Sequence, residues 1–180
     1  SLVQEVEVPH AGSIRGLGIP SGLTLILGES SSGRVDLMDA IAQGIYNHVP
    51  GDGREHVVTV ADAVSINSEP GRSIQQVDIS GFVTELTDGG NPAAYSTKSA
   101  GAFTSQAAST VEALEAGARV LLFDEHSSSS TFLSADTRVT SLLGKSSRNT
   151  LASRARQMVD DLGISMIVAG SSLVAEFIPI

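Results

Sequence analysis

A repeated order of elements constrains this chain more than anything else in it: a short apolar run, a loop of glycine, serine or acid, then apolar residues at helical spacing. Leu23-Thr24-Leu25-Ile26-Leu27 is entered through Pro20-Ser21-Gly22 and stopped by Gly28, which predicts a strand buried on both faces. After a Gly/Ser loop, Leu37, Met38, Ile41, Ala42 and Ile45 share a helical face, predicting a helix over residues 34–48 that Pro50-Gly51-Asp52-Gly53 ends. The order returns downstream. Ala108, Val111, Ala113 and Leu114 predict a helix over 105–116 capped by Gly117, and Val120-Leu121-Leu122-Phe123 predicts a second buried strand ending on Asp124-Glu125. Helical patterns over 134–143 and 151–162 follow, then a third strand over 164–169 with Gly170-Ser171-Ser172 behind it. Strands alternating with helices imply an α/β fold with a mostly parallel sheet, flanked by helices through right-handed crossovers.

The segment between these two halves differs. Val57, Val58 and Val60, then Val64 and Ile66, then Val77 and Ile79 form short β-type runs around the turn residues Asn67-Ser68-Glu69-Pro70-Gly71. They predict a small antiparallel excursion, and residues 87–102 read as a long loop.

Composition removes several function classes. Eleven Lys and Arg against twenty Asp and Glu give a net charge of −9, which repels phosphate backbones and argues against nucleic acid as a partner. Aromatics are 4% with no Trp, too few for a base-stacking platform. With no Cys there is no disulfide framework, iron–sulfur cluster or thiolate zinc site. No apolar run approaches a membrane span and no signal-peptide core opens the chain, so a cytoplasmic location is expected. Residues 1–180 read as a single domain, taken as an excerpt of a longer chain.

Ligands on parallel sheets collect at the carboxyl ends of strands. Three unusual loops, at 28–34, 124–131 and 170–172, follow strands and point to one site. In Gly28-Glu29-Ser30-Ser31-Ser32-Gly33-Arg34-Val35, two glycines five apart lead from a strand into a helix, the context of a phosphate-binding loop. The usual pattern ends in Lys and then a hydroxyl residue. Here Arg34 keeps the charge in a wider, forked group, and Val35 cannot ligate Mg²⁺. Asp124 and Glu125 at a strand end have the arrangement with which nucleotide hydrolases hold the metal and orient water. A bare strand-to-helix turn and two solvated acids are the plain alternatives. Among the four His, only His126 lies near this site, and the serine run 127–130 reads equally as a lid, a partner contact or a linker. No Gly-x-Ser-x-Gly elbow supports a serine hydrolase.

Longer blocks carry a resemblance. They are Gly16-Leu17-Gly18-Ile19-Pro20-Ser21-Gly22 leading into the loop, residues 44–55 (Gly44-Ile45-Tyr46-Asn47-His48 through Arg54-Glu55), Gly71-Arg72-Ser73 with Val77-Asp78-Ile79-Ser80, Thr104-Ser105-Gln106, and Leu121-Leu122-Phe123-Asp124-Glu125. Together they resemble the predicted ATPases of the ABC class, soluble relatives of transporter ATPase domains, over about residues 8–169. The resemblance implies a P-loop core that binds ATP and Mg²⁺ and pairs head-to-tail as a homodimer. On that reading Gly28, Ser30, Ser31, Ser32, Gly33, Arg34 and Val35 contact the nucleotide, Asp124 organises the metal, and Glu125 is the catalytic group that positions water. The family's phosphate loop resembles G-G-G-x-H-G-K-S-T, from which this chain departs at Glu29, Ser30, Ser32, Arg34, Val35 and Asp36. The stretch Gly101-Ala102-Phe103 stands where the family reads S-G-S, and no His follows the last strand. Three readings therefore stand side by side: an ATP-binding domain with doubtful hydrolysis, a non-catalytic scaffold, and a degenerate or designed relative without turnover.

Overall fold

Side chains that alternate between two faces along the central strands decide the architecture. The computed structural model describes residues 2–10, 12–135, 147–171 and 173–178. In chain order these form β1 (Val3–Val8), β2 (Gly12–Leu17), β3 (Leu23–Leu27), α1 (Arg34–Gln43), β4 (Ala63–Ser65), β5 (Ile74–Val77), β6 (Tyr95–Thr97), α2 (Ala102–Glu115), β7 (Val120–Asp124), α3 (Ser130–Leu133), α4 (Leu151–Asp160) and β8 (Ser165–Gly170). Strands β3, β8, β7 and β4 lie in that order in one sheet, all neighbours parallel. Leu121 and Phe123 of β7 and Met166 and Val168 of β8 face one side, packing with Phe103, Ala107 and Ala108 of α2 and Leu151, Ala155 and Met158 of α4. Leu122, Ile167 and Ala169 face the other, where Met38 and Ile41 of α1 cover them. Apolar residues on both faces of a strand require cover on both faces, and the fold is the P-loop type of parallel sheet flanked by helices.

Several expected elements shift, each for a local reason. The helix expected over 34–48 stops at Gln43, because Thr59 binds its end: Thr59 Oγ1 donates to Ile41 O at 2.6 Å and its amide to Gly44 O at 2.9 Å. A Cβ on Gly44 would stand 2.6 Å from that hydroxyl, so only glycine admits the contact. Leu23–Leu27 is half-buried rather than enclosed, since β3 is the sheet's edge and Leu27 is exposed. Val57, Val58 and Val60 form no strand; Val58 is 89% exposed. The run containing Val64 joins the main sheet, parallel to β7, instead of an antiparallel excursion. The excursion does exist, but as β5 paired antiparallel with β6, and β6 lies inside the stretch expected to be a loop over 87–102. β1 and β2 form an antiparallel hairpin that periodicity did not single out. Most of the helical pattern expected over 134–143 lies outside the described residues.

Candidate functional site at the carboxyl edge of the sheet

The loop after β3 is built by short-range bonds among its own residues. Ser30–Ser32 form a single 3₁₀ turn in which the Ser32 amide donates to Glu29 O at 3.0 Å and the Ser32 hydroxyl donates to the same carbonyl at 2.5 Å. Gly28 lets that hydroxyl approach, for a Cβ there would meet Ser32 Oγ at 2.5 Å. Gly33 takes φ +80°, the left-handed conformation that glycine adopts without steric cost, and turns the chain into α1. Among the described residues no side chain caps α1, so the first amides of the helix, its positive end, have no side-chain acceptor there.

The three loops that follow β3, β7 and β8 converge here. The Gly28 amide donates to Gly170 O at 3.1 Å and the Glu125 amide to Ala169 O at 2.8 Å, carrying the ladder one step past the strands. Gly28, Gly33, Arg34, Asp124 and Glu125 are thereby brought to one edge, with Ser31 and Ser32 exposed and Val35 half-buried. Arg34, the first residue of α1, spans the gap to β7: Nη1 donates to Asp124 Oδ1 at 2.8 Å, with side chains 4% and 12% exposed. Its Nε is buried without a hydrogen-bond partner among the described residues. The His126 amide also donates to Asp124 Oδ1, at 2.9 Å. Glu125 is held from the other side, by the amide of Ser171 and by its hydroxyl at 3.0–3.1 Å.

Two further positions matter to which the sequence assigns no role of their own, Gly170 and Gln106. Gly170 is confined, since an added Cβ would lie 2.6 Å from both Glu125 Oε2 and Val174 Cγ1. Buried Gln106 of α2 ties down the serine run: its amide nitrogen donates to Ser128 Oγ at 2.8 Å and Ile66 O at 3.3 Å, and its oxygen accepts from the Ser129 amide at 2.8 Å. The segment after the acid pair is thus clamped to α2. A signal was present in the glycine and serine behind the last strand and in the Thr104-Ser105-Gln106 block, but nothing in spacing told which atoms they hold. Phe103, at the departure from S-G-S, is a core side chain stacked edge-on against Phe132 at 5.4 Å.

The donors present do not suit Mg²⁺. That ion demands near-octahedral oxygen geometry. Val35 offers methyls where a hydroxyl would ligate, Asp124 Oδ1 already accepts from a guanidinium and an amide, and both Glu125 oxygens accept from Ser171. Among the described residues, the cationic group paired with an acid at this edge is Arg34.

A parallel sheet whose edge-strand glycine loop opens a helix toward the carboxylate ending an inner strand defines the P-loop class of α/β domain. Family comparison makes this specific: the model described as ABC_ATPase, P-loop domain, matches residues 1–178, and the chain belongs to that family. It is similar to the uncharacterized protein MJ1628 of Methanocaldococcus jannaschii, 31% identical over 128 residues, which is 69% of this chain and 28% of that protein. The match therefore covers little more than a quarter of that relative's length.

Proposed function

We propose that residues 1–180 are a single ATP-binding P-loop domain in which hydrolysis is slow or absent. What supports the reading is the meeting of an uncapped helix N-terminus, a left-handed Gly33 and the Arg34 guanidinium at the strands' carboxyl edge, where family members place the phosphates. Arg34 would neutralise phosphate charge, the amides of residues 30–35 would line the oxygens, and Glu125, fixed by Ser171, would be the group nearest an attacking water. Phosphoryl transfer is mostly positioning and charge stabilisation. Loss of the point-charge ammonium and of the metal-ligating hydroxyl would each raise the barrier by roughly 2–4 kcal/mol. The domain would work in the cytoplasm, with a head-to-tail homodimer completing each site from the α2 side.

A scaffold without nucleotide is the second reading, favoured by the closed Ser32–Glu29 turn and by the ion pair that already satisfies Asp124. Calorimetric titration with ATP separates the two. Saturable binding that Arg34→Ala abolishes supports the first, whereas no heat at millimolar ATP leaves the scaffold.

A further inference from the structure

We propose that the phosphate site is metal-independent: Arg34 takes the place of the divalent cation, and nucleotide enters as the free polyanion. The inference rests on the nucleotide-binding reading above. It is carried by three observations about one side chain. The Arg34 side chain is 4% exposed, its guanidinium is bonded to the acid that would otherwise hold a metal's water shell, and its Nε has no partner among the described residues. A buried N–H without an acceptor is costly, and an anionic oxygen at the uncapped start of α1 is the acceptor that chemistry would supply. Val35 removes the remaining reason for a metal, since its methyls can only exclude an ion from the helix's first turn.

The consequences run opposite to those of a metal site. With Mg²⁺ bound, ATP carries less negative charge and offers the arginine fewer free oxygens, so magnesium brings no gain here. Asp124 competes with phosphate for the guanidinium, so neutralising it releases Arg34 toward the ligand. In a metal site the same change would strip a ligand and weaken binding.

The test is calorimetry of the whole chain with ATP, once in EDTA and once in excess MgCl₂, for the parent, Asp124→Asn, and the pair Arg34→Lys with Val35→Ser. Parent affinities in the two buffers agreeing within about threefold, or favouring EDTA, is the expected result. Asp124→Asn is expected to tighten binding in EDTA, and the paired variant to acquire a preference for MgCl₂. Binding by the parent that is about tenfold or more tighter in MgCl₂ overturns the inference while leaving nucleotide binding intact. No binding in either buffer overturns both readings. The parent comparison stands by itself should the Asp124→Asn protein melt early.

Discussion

At the scale of single residues, the site is made by side chains that leave room for each other. Gly170 is the clearest case. A methyl there must displace Glu125 Oε2 or Val174 Cγ1, each 2.6 Å from the built Cβ, and both are held, one by Ser171 and one in the core. Gly170→Ala is therefore expected to destabilise by about 1–3 kcal/mol, read from the denaturant midpoint. It should also free the Glu125 carboxylate from the Ser171 amide, visible as a shift of that amide resonance. A neutral substitution would mean that the β8 end and the acid loop are not in contact in solution. The Arg34–Asp124 pair illustrates the limit of reading at this scale. Two residues ninety apart in sequence, each ambiguous in its own segment, become one buried ion pair only after β8 has inserted between β3 and β7.

At the scale of elements, a distant side chain ends α1 before its apolar pattern does. Periodicity found β7 and β8, which are packed by core on both faces, and α1 and α4, which each turn one apolar face to the sheet. It overran α1 because Ile45 continues the pattern while Thr59, eighteen residues beyond Ile41, closes it. It missed β6 because a short strand flanked by Pro92 and Lys98 has almost no pattern of its own. The stretch after α1 shows why a sequence block can be specific yet lie away from the phosphate loop. His48 Nδ1 contacts Asp52 Oδ2 at 2.7 Å, the Arg54 amide donates to Asp52 Oδ1 at 2.8 Å, and Arg54 Nη1 donates to Gln43 Oε1 at 2.6 Å. This turn follows the C-terminal end of α1, whereas the loop precedes its first residue. The Arg54 amide, with His48 adding to it, holds the Asp52 carboxyl below the ordinary carboxylate range. A depressed carboxyl stabilises the turn fully above its unfolded pKa and ceases to as pH falls through the lower folded value. Acid titration followed at the Arg54 amide should thus show a midpoint below that of an unstructured Asp, and Asp52→Asn should remove it. Gln106 makes the second test at this scale. Gln106→Leu keeps volume but leaves the Ser129 amide and Ile66 carbonyl without their partner, for an expected loss of about 1–3 kcal/mol in chemical denaturation. The Ser127–Ser130 amides should exchange faster in that variant, and unchanged exchange would show that α2 does not clamp the run.

At the scale of the whole molecule, burial is unevenly shared, and the distribution follows the sheet order. Strands β7 and β8 are interior and almost wholly buried; every residue described in the hairpin β1–β2 is exposed or half-exposed. Beneath the hairpin lies a cavity of about 960 Å³, lined by Val6, Val8, Ile14, Leu37, Ile41 and Val60 among others. The hairpin therefore rests on the domain across a gap, and Gly16, facing Gln4 across the ladder, supplies no side chain to fill it. Apolar burial is worth roughly 25 cal/mol per Å², so a hairpin that buries little gains little from docking. Local opening free energy should then rise from near zero in β1–β2 to the global value in β7–β8. Native-state hydrogen exchange checks this directly. Amides of Val6 and Ile14 are expected to exchange without denaturant dependence, through local fraying, while those of Leu122 and Ile167 open only with global unfolding. Equal protection in both sets would mean that something covers the cavity and locks the hairpin to the sheet.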